Sequence, residues 1–255
     1  MTIKARVKHV LNQLQLRWYT SKYQLPDNYR RIYHYHIRKS AGTSLNTAFW
    51  SLAGLNLQSM GRRCQVCRKG LIFVRHQPSL INQGNYFYGN SHNPAHRLQL
   101  PKETFTITIL RDPLSRLLSY YRYLLYIKNS PQAKQQEPFY QEVSKEALNL
   151  GNSFQDFLDR IPQKTIIHQL KMFSKNGQVD EAVDRVLQCS IVCFTESFSE
   201  DLGRINQRLQ LSLTERRDRS FAGTLDLSPA DLAAAREVLA PEFEFIETVQ
   251  KKLAA

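Results

Sequence analysis

Two short stretches carry the residue types that chemistry on an anion requires. The first is HIRKSAGTSL, residues 36–45. It runs from a strand-like segment through Arg38, Lys39, Ser40, Ala41, Gly42, Thr43 and Ser44 into Leu45, Ala48, Phe49 and Leu52, which recur at helical spacing. Small residues let a backbone approach a ligand closely, and successive N–H groups at a helix N-terminus favour negative charge. Lys39 and the hydroxyls of Thr43 and Ser44 add donors. The lysine precedes the glycine, so this is not the GxxxxGK[ST] loop of nucleotide hydrolases. Taken alone, such a basic turn reads equally well as a solvated helix cap.

The second stretch is ILRDPLSRLLSYYRYL, residues 109–124. A β-branched, apolar strand, FTITIL (105–110), delivers Arg111 at its C-terminal end, where open α/β sheets bind ligands. Asp112 and Pro113 suit a helix start. Arg111, Ser115 and Ser119 are spaced by four and share one stripe of that helix. A guanidinium grips phosphate bidentately, so Arg111 fits an anion. The bland alternative is a surface face with Arg116 and Arg122 solvated. The buried stripe of this helix is expected to be Leu114, Leu117, Leu118, Tyr121 and Leu125.

The elements that must position these residues alternate between strand-like and helix-like. Residues 31–37, 71–75, 86–88, 105–110 and 190–196 read as strands, and 153–161 and 179–188 as amphipathic helices. Leu202, Ile205 and Leu209 mark another helix, and Ser228, Pro229 and Asp231 form a capped helix start. Residues 54–104 are the least regular. This alternation predicts an α/β protein with a mainly parallel central sheet flanked by helices. The expected organisation is a single domain over residues 1–255, with residues 1–28 as a basic amphipathic extension. In that extension Val7, Val10, Leu11, Leu14 and Trp18 share a face, expected to pack on the domain itself, with a membrane-surface role as the alternative.

Lys and Arg number 35 against 22 acids, a net charge of +13. That balance favours anionic partners without choosing among them. No apolar run is long enough to cross a bilayer. Cys64 and Cys67 form a CxxC, and a zinc site would need Cys189 and Cys193 to approach them, so reduced thiols are the expectation.

Together the two stretches resemble a known family. HIRKSAGTSL is similar to the 5′-phosphosulfate loop of sulfotransferases that use 3′-phosphoadenosine 5′-phosphosulfate, usually of the form HIPKTGGTSL. ITILRDPLSRLLSYY resembles their 3′-phosphate motif, LRDP-x-x-R-x-x-S-x-Y. The likeness is nearest to the carbohydrate branch that includes heparan sulfate 2-O and chondroitin sulfotransferases. The FTES turn at 194–197 and LAPEFEFIE at 239–247 are weaker echoes. The resemblance implies a P-loop-NTPase-like three-layer fold and a donor bound without a metal. It assigns Lys39, Ser40, Ala41, Gly42, Thr43 and Ser44 to the 5′-phosphosulfate, and Arg111 and Ser119 to the 3′-phosphate. Arg219 and Ser220, in the basic loop RRDRSFAG, become candidates for completing the nucleotide pocket. The family's proline is Arg38 in this chain.

Transfer to a hydroxyl needs a base and neutralisation of the leaving phosphate. Lys39 suits the second task. Relatives carry a histidine about twenty residues before the arginine of the second motif, and His92 in YFYGNSHNPAHRL stands at that distance. His titrates near neutrality, which suits a base. His76 and His96 are its rivals, and His34 and His36 read as packing residues. The implied reaction passes a sulfonate to a hydroxyl, of a glycan or glycolipid, leaving adenosine 3′,5′-bisphosphate. A nucleotide-dependent phosphotransferase and a non-catalytic polyanion-binding protein are the alternatives. No nucleic-acid motif is evident, and the expected location is cytoplasmic, with peripheral membrane contact through the N-terminal segment as a variant.

Overall fold

The computed structural model describes residues 14–137, 140–216 and 225–255. Six strands form one sheet: β1 Arg31–Tyr35, β2 Gln65–Arg68, β3 Leu71–Arg75, β4 Tyr88–Ser91, β5 Thr104–Leu110 and β6 Ile191–Phe194. Their order is β2-β3-β4-β1-β5-β6. β1 lies at the centre, parallel to both neighbours, with Tyr33 opposite Gly89 on β4 and Thr106 on β5. Only the β2–β3 hairpin is antiparallel.

Helices cover both faces. The longer ones are α1 (residues 14–21), α2 Gly42–Ser51, α3 Pro113–Asn129, α4 Tyr140–Leu148, α5 Phe154–Arg160, α6 His168–Phe173, α7 Val179–Leu187, α8 Phe198–Leu209, α9 Pro229–Val238 and α10 Ala240–Ala254. The period-2 alternation of the strands sorts side chains between the two layers. Phe105, Ile107 and Ile109 of β5 face a core built with Leu45, Phe49 and Trp50 of α2 and Leu202 and Ile205 of α8. Leu110 and Val192 face the other layer, where Leu117 and Leu124 of α3 meet Phe157, Leu170, Val183 and Phe245. The result is the expected three-layer α/β architecture.

Several element boundaries differ from the sequence reading. β1 stops at Tyr35; His36 N–H still donates to Ser91 O at 3.0 Å, and the chain then turns. β4 covers 88–91 rather than 86–88, and β2 was not anticipated. Residues 195–197 leave the last strand for a short 3-10 turn. The buried side of α3 keeps Leu117 and Tyr121 from the expected stripe but extends beyond it. Leu114, Leu118 and Leu125 are half-buried, while Arg116, Tyr120, Tyr123, Leu124 and Ile127 are buried. The reason is polar: Arg116, 1% exposed, turns inward to pair with Glu242 of α10 at 3.1 Å. Neither the expected single-domain organisation nor the N-terminal extension can be followed over residues 1–13, which lie outside the described residues.

Candidate active site

β1 ends in a loop that must turn sharply to start α2. Lys39 and Ala41 both take left-handed backbone angles, φ 67 and 51. Residues other than glycine hold such angles only where surroundings enforce them, and alternating hands of this kind turn N–H groups toward a common point. Ala41 is the residue before α2 and offers no side-chain cap, so the first N–H groups of that helix stay available to a ligand. Gly42 is required for a different reason: a Cβ there would collide with the His36 imidazole. Ser40 is turned inward with its hydroxyl unpaired among the described residues, so the loop presents the Ser40 backbone rather than its side chain. Thr43 and Ser44 are half-buried at the start of α2. Lys39 Nζ lies 4.5 Å from the Tyr123 ring centroid.

β5 brings the second stretch alongside the first. Arg111 Nη1 donates to Lys39 O at 2.9 Å, joining residues 72 apart in sequence. The Arg111 backbone is itself clamped: its N–H donates to Gln169 Oε1 at 2.8 Å, and Gln169 Nε2 donates back to Arg111 O at 2.9 Å. Gln169 N–H donates to Glu242 Oε1 at 2.6 Å. Asp112 caps α3 by accepting from Ser115 N–H at 2.7 Å. Ser115 is exposed and Ser119 half-buried. The adjoining β6–α8 turn closes a cleft of about 530 Å³ lined by Ala41, Ser44, Thr195, Ser197, Phe198 and Glu200 among others. Arg219 and Ser220 lie outside the described residues.

At the same C-terminal end of the strands five histidines gather. His36 stacks on His34, with centroids 5.2 Å apart, and lies 4.3 Å from His92. His76 and His168 approach His92 to 5.7 and 6.5 Å. His92 Nδ1 lies 2.5 Å from His36 O. A carbonyl can only accept, so Nδ1 carries the proton and Nε2 keeps its lone pair. Burial, and secondarily the Arg38 cation, pushes the His92 pKa down to about 3, so the ring is neutral. Burial with Arg75 and Arg38 lowers His76 to about 4. His76 holds a left-handed backbone, φ 63, and its carbonyl accepts from Asn93 Nδ2 at 2.9 Å. His96 stands apart, on a turn whose electrostatic neighbours are Arg97, Arg185, Lys175 and Glu181.

Asn46 escaped the sequence reading. Its Oδ1 accepts from Tyr88 OH at 2.6 Å and from His34 Nδ1 at 3.0 Å, while its Nδ2 donates to His36 Nδ1 at 3.2 Å. It therefore sets the tautomers of His34 and His36. Its signal in the sequence was a polar amide between Leu45 and Ala48, in the apolar stripe of α2. Gln169, Glu242 and His168 left no comparable signal, since each acts through a contact between distant segments. Arg38 is not an idle substitute for proline: Nη1 pairs with Glu146 of α4 at 3.1 Å, and Tyr120 OH bonds the same carboxylate. The cysteines do not assemble. Sheet order puts Cys67 on β2 and Cys193 on β6 at opposite edges, and all four are free thiols.

An anion-type loop at the C-terminal end of the central strand, in a three-layer sheet of this order, defines a P-loop-like α/β protein. Residues 24–215 match the sulfotransferase family. The chain belongs to that family, and its general chemistry is transfer of a sulfonate group. No curated protein matches it.

Proposed function

We propose that this protein transfers the sulfonate of 3′-phosphoadenosine 5′-phosphosulfate to an acceptor hydroxyl of a carbohydrate, as a glycan or glycolipid. The observation that carries the donor reading is the Arg111–Lys39 bond, which ties two separated anion-type stretches into one surface. Lys39 and the N–H groups from Ser40 to Ser44 would hold the 5′-phosphosulfate, and Arg111 and Ser119 the 3′-phosphate. Gly42 fits this use, because the space a side chain would need is already filled by His36. The cleft beside Ala41 and Ser44 suits the adenosine. Arg219 and Ser220 remain candidates for its rim. The carbohydrate acceptor rests on the likeness of the two motifs to that branch.

In the reaction the donor supplies the sulfonate, and adenosine 3′,5′-bisphosphate leaves as the phosphate–sulfonate bond breaks. His92 Nε2 takes the acceptor's proton as the new oxygen–sulfur bond forms, and Nδ1–H stays on His36 O. Lys39 offsets charge growing on the leaving phosphate. Arg38 beside His92 helps keep that ring neutral before the anionic donor arrives. No step calls on a metal.

Calorimetric titration without magnesium tests this reading. Adenosine 3′,5′-bisphosphate is expected to bind and 5′-ADP to bind far more weakly, with Arg111→Ala losing about 10–100-fold of the bisphosphate affinity, the worth of a charge-assisted bidentate contact. Tighter binding of ADP with magnesium would instead favour a phosphotransferase. Binding of neither, with retained affinity for polyanions, would leave a non-catalytic binder.

A further inference from the structure

We propose that the outer face of α1 docks on an anionic lipid surface. The helix packs on the domain through Leu16 and Thr20, which are buried, and the following Tyr23 bonds Gly70 O at 2.7 Å. That is not the face the apolar pattern suggested. Leu14 and Trp18, one turn apart, point outward at 56% and 55% exposure. Lys22 continues their stripe by another turn, with Nζ 3.4 Å from the Trp18 ring centroid. A tryptophan with a cation over its ring face, beside an aliphatic neighbour, suits the boundary between headgroups and acyl chains.

Charge complementarity selects the occupant. Arg17 and Lys22 flank the apolar pair, and Arg68 and Lys69 are exposed at the β2–β3 turn against which Tyr19 lies. Residues 1–26 contain five Lys or Arg and no Asp or Glu, the first acid being Asp27. An exposed apolar pair within such a run matches an anionic bilayer, where each nearby cation adds to the attraction of the inserted rings. No described helix is long and apolar enough to cross a membrane, so the contact is interfacial. The proposal is independent of the donor and acceptor assignments.

The test is sedimentation of the full chain with phosphatidylcholine vesicles, with and without phosphatidylglycerol. Binding is expected only with the anionic lipid and should weaken as salt rises. Leu14→Gln with Trp18→Gln should weaken it about tenfold or more, the worth of burying those side chains. Brominated lipid gives a second readout on the native protein: Trp50 is 1% exposed in the core, so quenching reports Trp18. Vesicle binding that survives the double substitution, or binding without quenching, would overturn the proposal and assign the attraction to net charge alone. Absence of binding to anionic vesicles at low salt would overturn it outright, including where heparin is bound.

Discussion

His92 is held neutral with one nitrogen committed to a carbonyl and the other left as an acceptor. If it is the base, His92→Ala should lower kcat by about 10²–10⁴-fold while leaving bisphosphate affinity within about twofold. Its pKa also makes a directional statement about rate. A base depressed to about 3 stays competent far below the ordinary histidine range, so kcat/KM should remain flat from neutrality to about pH 5. An acid limb near 6.5 would remove His92 from that role and point to a more solvated group. Asn46→Ala should act differently: by releasing the tautomers of His34 and His36 it should reduce kcat without abolishing donor binding. Lys39 and Arg111 could be proposed from the sequence because each sits in a local pattern of recognisable spacing, and His92 from the family resemblance. Asn46 and Gln169 were not, because their partners come from strands and turns far along the chain.

The loop between β1 and α2 works only if α2 can start close to His36. Gly42→Ala should therefore destabilise the fold by about 1–3 kcal/mol, the usual cost of overpacking, and weaken bisphosphate binding with it. Differential scanning calorimetry checks the first effect and titration the second, and trimming His36 to Ala in the same chain should recover part of both. A second element-level prediction concerns α3. Arg116→Leu leaves the fully buried Glu242 without its cation and should cost about 3–5 kcal/mol, whereas replacing both residues by leucine should cost less, the remaining loss coming from Gln169 N–H, which then has no carboxylate to donate to. β1 and β5 could be read from alternation and β-branching, and α2 and α3 from period and capping. The β2–β3 hairpin could not, because QVCR is short and mixed in character and becomes a strand only by pairing with LIFVR. The buried face of α3 was read only in part for a similar reason. Arginine counts as polar in any periodic pattern, yet Arg116 is buried once Glu242 reaches it.

At the scale of the molecule, burial of several histidines makes the fold sensitive to acid. Desolvation holds His34 and His76 near 4 and His92 near 3, and pushes His36 and His168 well below their ordinary values. The unfolded chain, with histidines titrating at about 6.5, binds these protons first. Their contribution to stability is thus complete above about pH 6.5 and is lost progressively as pH falls toward 4 and 3. Melting temperature should drop already between pH 7 and 5, before most carboxylates titrate. A profile flat to pH 5 would contradict the buried neutral cluster. The parallel sheet with helices on both faces was foreseeable from the alternation of segments alone. How its parts converge at the C-terminal end of the strands was not, and that convergence has a consequence for synthesis. Arg111 is clamped by Gln169, which is held by Glu242 in α10. A ribosome that has released the chain as far as β6 has made every strand of the sheet and both anion stretches, yet the clamp still waits for α10. Fragments ending before residue 240 should therefore retain sheet structure while binding the bisphosphate poorly. On the proposed reading, a growing chain would gain a fully clamped donor site only once α10 has emerged.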